Sequence, residues 1–447
     1  MDIIYLLGLI AFSPWLLLRS LRTGRYRSDW AARLGKIAAD RRESIQISGC
    51  RVMIHCVSVG ELTSVGAMVR EILEADQSVQ VILTVTTDTG MARARALYPA
   101  ENRRVVVLRY PLDFTFAVRR FLNTVRPHFV ALVELEVWPN FMAECRRRSI
   151  PVEIINGRMT ARSFKRYALV KPLMGRMLSH AVHIGVQSRP IAERFMALGV
   201  AEEKITVLPT MKYDTADFST EVPGAAAMAK ALGIGPGQWL LVAGSTGPGE
   251  EDFLLEGYTA LSLRWPQLRL AIAPRKPEVY SQVLEKIKAR GFKVVRRSEN
   301  PDGCTGRELS GEHIIVLDTM GELRKLYAAA GGIFSGRSLV PLGGSDMIEA
   351  AALGRPVCFG PHTWNFADVV QDLLAADAAV EIRDGPALIE TVDQWLKHPE
   401  AAAAMSARAR AAIAAQSGSS RIYAQRVLTG CGLSMAKLGP SQIRPPG

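Results

Sequence analysis

The chain has 447 residues, 48% of them apolar and 22% charged, which is typical of a globular protein and excludes an intrinsically disordered one. Its six cysteines form no CxxC pair and show no metal-ligand spacing, so a disulfide-rich scaffold and the common zinc motifs are excluded as well. The net charge of +12 leaves three kinds of partner open, namely nucleic acid, an anionic membrane surface and a phosphorylated substrate. The length predicts two or three domains.

The amino terminus is an uncharged apolar stretch from Ile3 to Leu18. A group of basic residues follows it: Arg19, Arg22, Arg25, Arg27 and Arg33. The stretch is slightly short for a membrane span, although flanking residues and local thinning of the bilayer can make up the difference. Because the positive charges lie on its carboxyl side and no small-residue cleavage site follows, we expect residues 1–30 to form a single membrane anchor helix with the rest of the chain in the cytoplasm. A first helix that lies in the membrane interface or packs on the protein is the alternative.

From residue 31 to residue 215 the pattern predicts a first α/β domain. Short apolar runs alternate with helical segments, and polar loops follow the runs. The predicted strands are Val52–Ser58, Val79–Val85, Val105–Leu108, Phe129–Val133, Val152–Ile155, Val182–Val186 and Ile205–Leu208. This alternation predicts a doubly wound parallel sheet.

The pattern lapses around Asp214–Ala227, where Pro223 and Gly224 indicate a linker, and restarts in a second domain at residues 225–430. Its predicted strands are Trp239–Ala243, Leu268–Ala273, Lys293–Val295, Ile314–Leu317, Gly331–Phe334 and Pro356–Phe359. An alanine-rich helix is predicted over Pro386–Leu428, and residues 431–447 are expected to form a loose tail. Two similar α/β domains joined by one linker predict a cleft between them that binds a ligand.

The stretch from Ser335 to Phe366 carries two glycine-bearing loops, each at the predicted carboxyl end of a parallel strand. Open α/β sheets bind ligands at such ends. Backbone N–H groups near Asp346, where a helix begins, can hold a phosphate, and Glu349 lies one turn further along and can bond ribose hydroxyls. An ordinary Rossmann-like crossover with glycines in its tight turns explains the same segment.

Eight motifs along the chain point to one family. They are HCVSVGE (His55 to Glu61), ELEVWPN (Glu134 to Asn140), NGRMTARS (Asn156 to Ser163), MKYD (Met211 to Asp214), AGSTGPGEE (Ala243 to Glu251), DTMGEL (Asp318 to Leu323), SLVPLGG (Ser338 to Gly344) and EAAALGRPVCFGPHTWNF (Glu349 to Phe366). With these motifs in this order, nearly the whole chain resembles the 3-deoxy-D-manno-octulosonic acid (Kdo) transferases of lipopolysaccharide synthesis. The resemblance implies the GT-B arrangement of two Rossmann-like domains, with an acceptor domain followed by a nucleotide-sugar donor domain.

The resemblance also implies an activity. Kdo would move from CMP-Kdo to a lipid A precursor at the cytoplasmic side of the cell inner membrane, with inversion of the anomeric centre and with no metal or cofactor. Glu61 would be the general base, and Glu134 and Lys212 would support the transition state, where a lysine offsets the charge that develops on the leaving phosphate. A helix start lowers the pKa of Glu61, whereas burial or a nearby carboxylate raises it. From the residues alone, Glu61 is explained as an acidic residue of a first helical turn and Lys212 as a surface lysine.

The donor site falls in the second domain. The resemblance assigns it to Pro274, Arg275, Met320, Gly321, Glu322, Asp346, Met347, Ile348 and Glu349. The fork of a guanidinium group matches a nucleotide phosphate. Two places in this site depart from the family pattern. Lys276 stands where histidine is usual, and Ser345-Asp346-Met347-Ile348 stands where the family has His-Asn-Pro-Leu.

These departures leave alternatives open. One is another GT-B enzyme, such as a nucleotide-sugar epimerase or a transferase that uses a different acidic nucleotide sugar. The other is a non-catalytic, membrane-tethered homologue that binds a nucleotide sugar or a lipid. A nucleic-acid partner is not expected, because no nucleic-acid motif is present and the phosphates of the acceptor and of anionic inner-membrane lipid explain the positive charge equally well.

Overall fold

The computed structural model describes residues 1–3, 5–7, 29–45 and 49–434. The chain divides into two compact units: unit 1 comprises Met1–Thr215 with Gln416–Gly447, and unit 2 comprises Ala216–Ala415. Most of the predicted membrane anchor and most of the predicted loose tail lie outside the described residues. Among the residues that are described, no helix combines the length and the apolar character needed to cross a bilayer.

Unit 1 is built on a seven-stranded parallel sheet with the strand order β3-β2-β1-β4-β5-β6-β7. The strands are β1 (Arg51–Cys56), β2 (Gln80–Val85), β3 (Val105–Arg109), β4 (Phe129–Val133), β5 (Val152–Gly157), β6 (Ala181–Val186) and β7 (Ile205–Val207). The first five strands are buried along their whole length. Parallel strands that are covered on both faces have near-continuous apolar sequences. For this reason the predicted ends of these strands lie within one or two residues of the observed ends.

Helices cover both faces of this sheet. They are α1 (Trp30–Arg33), α2 (Ala39–Glu43), α3 (Val59–Ser64), α4 (Gly66–Ala75), α5 (Asp88–Leu97), α6 (Thr115–Val125), α7 (Pro139–Arg147), α8 (Ala161–Ala168), α9 (Lys171–Leu178) and α10 (Arg189–Ala197), with 3-10 helices at Glu202–Lys204 and Met211–Thr215. Successive side chains of a strand point to opposite faces. Val52 and Ile54 of β1 therefore join a core with Met68, whereas Met53 joins a separate core with Phe121.

Unit 2 repeats the architecture with a second seven-stranded parallel sheet, in the order β10-β11-β9-β8-β12-β13-β14. Its strands are β8 (Trp239–Thr246), β9 (Leu268–Pro274), β10 (Lys293–Arg296), β11 (His313–Val316), β12 (Gly332–Ser335), β13 (Val357–Phe359) and β14 (Val380–Glu381). Its helices are α11 (Ala225–Ala231), α12 (Glu250–Arg264), α13 (Tyr280–Ala289), α14 (Leu323–Ala328), α15 (Ile348–Ala352), α16 (Ala367–Ala375), α17 (Gly385–Lys397) and α18 (Pro399–Gln416), with 3-10 helices at Pro277–Val279 and Arg297–Glu299. The prediction of two doubly wound α/β domains is confirmed for the architecture of each unit.

The strand order of each sheet reverses direction at one place. In unit 1 the chain leaves β1 toward β2 and β3 on one side and returns to β4 on the other, so the crevice lies between β1 and β4. In unit 2 the corresponding neighbours are β8 and β12. Loops that leave the carboxyl ends of such a strand pair diverge, and the space that they leave is where doubly wound sheets bind ligands.

The carboxyl-terminal helices differ from the prediction. The alanine-rich segment is not one helix, because it is interrupted before Pro399 and again at Gly418, whose φ of 114° a glycine adopts without strain. A final helix, α19 (Ser419–Gly430), packs against α4 and β4 of unit 1. Unit 2 ends at Ala415, and the buried face of α19, including Tyr423, joins a core of unit 1.

Candidate active site

Two predicted catalytic carboxylates follow the strands that flank the crevice of unit 1. Glu61 comes shortly after β1, in the first turn of α3, and Glu134 comes directly after β4. Because β1 and β4 are paired neighbours, their carboxyl ends lie side by side and both residues stand at the point where the strand order reverses.

Hydrogen bonds hold Glu61 at the start of α3. Ser58 is the N-cap residue, and its hydroxyl accepts a bond from the Glu61 N–H at 3.4 Å. In return, the carboxylate of Glu61 accepts bonds from the Val57 N–H at 2.7 Å and from the Ser58 hydroxyl at 2.9 Å. This is a variant of the capping box, in which a glutamate of the first turn accepts a hydrogen bond from a backbone N–H group that has no acceptor within the helix. The position of the carboxylate is therefore set before any ligand binds.

Burial raises the pKa of the Glu61 carboxyl from 4.5 to about 7. The bonds from Val57 and Ser58 oppose this shift, and the negative charges of Glu134 and Glu136 add to it. From the sequence, a helix start was expected to lower the pKa of Glu61 and burial to raise it. In the structure, the rise caused by burial is the larger effect. A carboxyl with a pKa near 7 exchanges protons readily at neutral pH, which suits a general base.

The loop after β4 brings further negative charge to this site. Glu134 has a φ of 60°, an uncommon backbone conformation for a residue with a side chain, and its N–H donates to the Ile155 carbonyl at 2.9 Å. Burial raises the pKa of Glu136, whose carboxylate accepts a bond from the Trp138 indole at 3.0 Å. The loop therefore concentrates carboxylates near Glu61, which keeps the proton affinity of Glu61 high.

The third predicted catalytic residue, Lys212, lies on the 3-10 helix Met211–Thr215, and this helix packs against α3. The Asn156 side chain accepts a bond from the Met211 N–H at 3.1 Å. The Asn156 N–H in turn donates to the Tyr423 hydroxyl of α19 at 3.1 Å. The structure thus brings the elements that carry Glu61 and Lys212 together. Asn156 and Tyr423, whose supporting roles the sequence analysis missed, help to hold the 3-10 helix.

Asp214, which closes the MKYD motif, fastens α19 to this region. Its carboxylate accepts bonds from the Ser420 N–H at 2.6 Å and from the Gly418 N–H. These N–H groups lie at the start of α19, where the helix has no internal acceptors for them. The motif therefore has a structural part, Asp214, beside the candidate catalytic residue Lys212.

Unit 2 contains a cavity of about 260 Å³ at the carboxyl ends of β9 and β11. Five residues that the resemblance assigned to the donor site line it: Pro274, Arg275, Met320, Gly321 and Glu349. Tyr280 and Arg324 line it as well, and the sequence analysis did not single them out. The sequence could have indicated Arg324 as a donor-site residue, because it directly follows the DTMGEL motif. No motif in the sequence indicated Tyr280.

Opposite charges face this cavity. Burial raises the pKa of Glu349, the negative charges of Asp346 and Asp217 add to the rise, and the positive charge of Arg324 opposes it. Arg324 also donates to the Asp217 carbonyl at 2.7 Å, which fixes its guanidinium group. With Arg275 on the same lining, the cavity offers two guanidinium groups for a phosphate and a carboxyl for hydroxyl groups.

The other four predicted donor residues do not line the cavity. Glu322 accepts two bonds from Arg297, each at 2.9 Å, and these bonds hold the pKa of its carboxyl at about 2. Met347 and Ile348 are buried in the core of unit 2, so their side chains are not presented to a ligand. Asp346 is exposed and accepts a bond from the Ile348 N–H at 2.9 Å, which shapes the turn before α15.

A buried carboxylate, Glu250, holds the loops at the crevice of unit 2. It accepts bonds from the N–H groups of Gly247 at 2.8 Å, Arg337 at 2.6 Å, Ser338 at 2.8 Å and Leu339 at 2.9 Å. Gly247 follows β8 and the other three follow β12, so one side chain ties together the two loops that diverge there. The sequence analysis quoted Glu250 within a motif without assigning it this role.

Within residues 1–3, 5–7, 29–45 and 49–434, no group of three or more histidine, cysteine, aspartate or glutamate side chains is placed to hold a metal ion.

Known proteins similar to this chain bear on these sites. Residues 28–215 match the family described as 3-Deoxy-D-manno-octulosonic-acid transferase (kdotransferase). The 3-deoxy-D-manno-octulosonic acid transferase of Haemophilus influenzae is 31% identical over 391 residues, which cover 86% of this chain and 87% of that protein. The enzyme of the same name from Bordetella pertussis is 32% identical over 430 residues, which cover 94% of this chain and 96% of that protein.

Solved structures share the fold at much lower identity. The complex of Anabaena Alr3699/HepE with UDP superposes with a TM-score of 0.57 at 13% identity. The superposition covers 86% of this chain and 100% of that one. The UDP-GlcNAc 2-epimerase of Neisseria meningitidis bound to UDP-GlcNAc superposes with a TM-score of 0.55 at 12% identity, over 85% of this chain and 100% of that one. These likenesses describe the fold alone. Because relatives above 30% identity extend over most of the sequence, the chain belongs to the 3-deoxy-D-manno-octulosonic acid transferase family of glycosyltransferases.

Proposed function

We propose that this protein transfers Kdo from CMP-Kdo to a lipid A precursor with inversion of the anomeric centre, and that Glu61 is the general base. The observation that carries the proposal is the Glu61 carboxyl, held by two hydrogen bonds at the β1/β4 crevice with its pKa raised to about 7. The donor and the acceptor are those that the resemblance to the family implies.

In the proposed step, the acceptor hydroxyl oxygen forms a bond to the anomeric carbon of Kdo while the bond from that carbon to the phosphate oxygen of CMP breaks. The hydroxyl proton passes to the Glu61 carboxylate, and the bonding pair of the broken bond leaves with CMP. Glu134 keeps the proton affinity of Glu61 high by charge repulsion. Lys212, on the 3-10 helix packed against α3, supplies positive charge for the leaving group.

For the donor, we propose the cavity of unit 2. The guanidinium group of Arg275 binds the nucleotide phosphate, Glu349 bonds the ribose hydroxyls, and the backbone around Met320 and Gly321 contacts the nucleotide. Pro274 shapes the same wall. Four predicted donor residues act through the loops that they stabilise. Glu322 is bonded to Arg297, Asp346 bonds the Ile348 N–H, and Met347 and Ile348 are buried.

The acceptor places the reaction at a membrane. A lipid A precursor is an acylated, anionic glycolipid, so the enzyme must work where such lipids lie. We propose that residues 1–30 anchor the chain at the cytoplasmic side of the inner membrane, with unit 1 as the acceptor domain and unit 2 as the donor domain.

Transfer can be tested directly with purified full-length protein, CMP-Kdo and a tetra-acylated lipid A precursor, with the product lipid followed by mass spectrometry. We expect the mass of the lipid to increase by whole Kdo units, and the count of these units gives the number of transfers. Glu61→Ala should abolish product while CMP binding to unit 2 persists. Absence of product from the intact protein, under conditions where another family member is active, would overturn the proposal.

A different acidic nucleotide sugar is the second candidate. It rests on one departure from the family pattern: Asp346 stands where the family has asparagine, and its negative charge adds to the burial that raises the pKa of Glu349 at the cavity. A thermal-shift screen separates the two, because a ligand that binds the folded state raises the melting temperature. A larger shift with CMP-Kdo than with CMP-sialic acid supports the first candidate, and the reverse order supports the second.

A further inference from the structure

Two cysteines from distant parts of the chain meet at the amino-terminal edge of the sheet of unit 1. Cys50 directly precedes β1, and Cys431 directly follows α19. Both are half-buried, and both pack against the core that contains Val52, Phe129 and Val427. The Cys431 thiol donates a hydrogen bond to the sulfur of Cys50. The pair therefore forms a contact between β1 and α19, and the proposed transfer reaction does not use it.

Close packing brings the end of α19 to this edge of the sheet. Gly430 is the last residue of α19, and a Cβ atom added to it would lie 2.3 Å from a ring carbon of Phe129 in β4. A larger residue would therefore push the end of the helix away from the sheet. The Cys431 N–H donates to the Val427 carbonyl at 3.1 Å and to the Leu428 carbonyl at 3.0 Å. These bonds fix the position of Cys431 relative to the helix.

The strand side of the pair is fixed as well. The Cys50 carbonyl accepts a bond from the Gln80 N–H of β2 at 2.9 Å. Arg51, the next residue, donates from its guanidinium group to the Val125 carbonyl at 3.0 Å and to the Arg126 carbonyl at 3.0 Å. The contact between the two sulfur atoms is thus supported from both elements.

The two thiols differ in their affinity for a proton. The hydrogen bond from Cys431 lowers the pKa of Cys50, and the positive charge of Arg51 lowers it further, against the opposing effects of burial and Asp76. The same hydrogen bond and burial raise the pKa of Cys431. A thiolate is the nucleophile in thiol–disulfide exchange, so Cys50 is the thiol that reacts first and Cys431 the one that reacts second.

We propose that Cys50 and Cys431 are a redox-modification site, at which a small-molecule disulfide such as oxidised glutathione is reduced and the pair becomes a disulfide that fastens α19 to β1. The Cys50 thiolate attacks one sulfur of the reagent, whose S–S bond breaks, and the bonding pair leaves with the first small thiolate. The Cys431 sulfur then attacks the sulfur of Cys50 and expels the second small thiolate. The two protons of the cysteines end on the two released thiols, so atoms and electrons balance.

The disulfide acts on a helix that supports the candidate catalytic element. At its first turn, α19 donates to the Asp214 carboxylate, and further along the Tyr423 hydroxyl accepts a bond from the Asn156 N–H at 3.1 Å. A cross-link at the other end of α19 restricts its separation from unit 1, because cross-linked chains have fewer open conformations. Glu61 lies beyond the carboxyl end of β1, so the link forms away from the crevice. Reduction restores the two thiols, so the modification is reversible.

The test for the link uses purified full-length protein that is first reduced and then incubated with oxidised glutathione. Digestion without reductant and mass spectrometry should find a pair of peptides joined through Cys50 and Cys431, lighter than the reduced peptides by two hydrogen atoms. Cys431→Ser lacks the second sulfur, so the mixed disulfide with glutathione should accumulate on Cys50. Cys304→Ser, at the exposed cysteine of unit 2, is the matched control and should form the same link as the parent.

Amide hydrogen exchange measures whether the link fastens α19. Peptides that cover α19 should exchange at least about tenfold more slowly in the oxidised protein than in the reduced one. Peptides that cover α10, on the β6–β7 side of unit 1, serve as the reference and should not change. In Cys431→Ser, the oxidant should leave the exchange of α19 as it was.

Three outcomes would overturn the proposal. The first is the absence of the joined peptides from the oxidised parent. The second is a mixed disulfide that persists on Cys50 in the parent as it does in Cys431→Ser, which would show that Cys431 does not reach it. The third is a joined protein whose α19 exchanges at the rate of the reduced form. These measurements need no sugar donor or acceptor, so they stand apart from the proposed transfer reaction.

Discussion

Replacement of Glu61 by glutamine should abolish turnover and yet make the protein more stable above neutral pH. The pKa of this carboxyl is raised from 4.5 to about 7, so its ionisation in the folded protein costs about 3 kcal/mol more than in the unfolded chain. The folded state therefore binds more protons than the unfolded state between these values, and stability falls as the pH rises from 4.5 to about 7. Glutamine does not ionise, so this contribution to the fall in stability is absent from the Glu61→Gln variant.

The gain is partly offset by hydrogen bonding. The amide oxygen of glutamine can replace one carboxylate oxygen but not both, so the bond from either the Val57 N–H or the Ser58 hydroxyl is lost, at a cost of about 1 kcal/mol. We expect the variant to be more stable than the parent by about 1–2 kcal/mol at pH 8, which for a unit of this size raises the melting temperature by about 2–8 °C. At pH 4 the parent carboxyl is protonated, and the variant should be equal or slightly less stable.

Thermal unfolding of both proteins from pH 4 to pH 9 measures this difference, and product formation is followed over the pH range where the enzyme works. Glu203→Gln, at an exposed glutamate of unit 1, is the control for the loss of one carboxylate from this unit. A melting-temperature difference for Glu61→Gln that is the same at pH 4 and pH 8 would refute the raised pKa. Retained turnover would refute the role of Glu61 as base.

Three further changes test the remaining contacts. Glu134→Gln removes a charge that raises the pKa of Glu61, so the acidic limb of the kcat/KM profile should move below pH 7, and an unmoved limb would contradict the coupling. Arg275→Ala should weaken CMP binding about 10- to 100-fold in titration calorimetry, as expected for loss of a charged hydrogen bond, whereas an equal loss in Lys288→Ala would argue against a specific contact. Glu250→Ala leaves four N–H groups without their acceptor and should destabilise unit 2 by about 3 kcal/mol or more in urea unfolding, and a loss below about 1 kcal/mol would contradict its proposed anchoring role.

Much of the fold could be predicted because parallel strands with both faces covered are apolar along their length. Val81–Val85 and Phe129–Val133 are such runs, and the polar loops after them marked the edge of the sheet where Glu134 lies. The alanine-rich carboxyl-terminal segment could not be assigned in this way. Alanine favours a helix with any partner, so nothing in the composition indicated that α19 packs on unit 1 and not on unit 2.

The candidate site shows the same division. Motif order identified Arg275 and Glu349, which line one cavity, but the same reasoning also assigned Met347 and Ile348, which are buried. A linear motif contains residues that contact a ligand and residues that hold the loop, and the two kinds are distinguished by which way each side chain points. Tyr280, which lies on a different element, reaches the cavity only through the packing of α13.

The order of apolar runs, polar loops and motifs was enough to establish two doubly wound α/β units, the family and the identity of Glu61 as the residue to examine. It could not establish how strongly Glu61 holds a proton. That depends on burial, on two hydrogen bonds and on the carboxylates of Glu134 and Glu136, which lie more than seventy positions away and reach Glu61 because β1 and β4 are neighbours. Electrostatic energies depend on distance in space and on exclusion of water, and both arise when the sheet assembles.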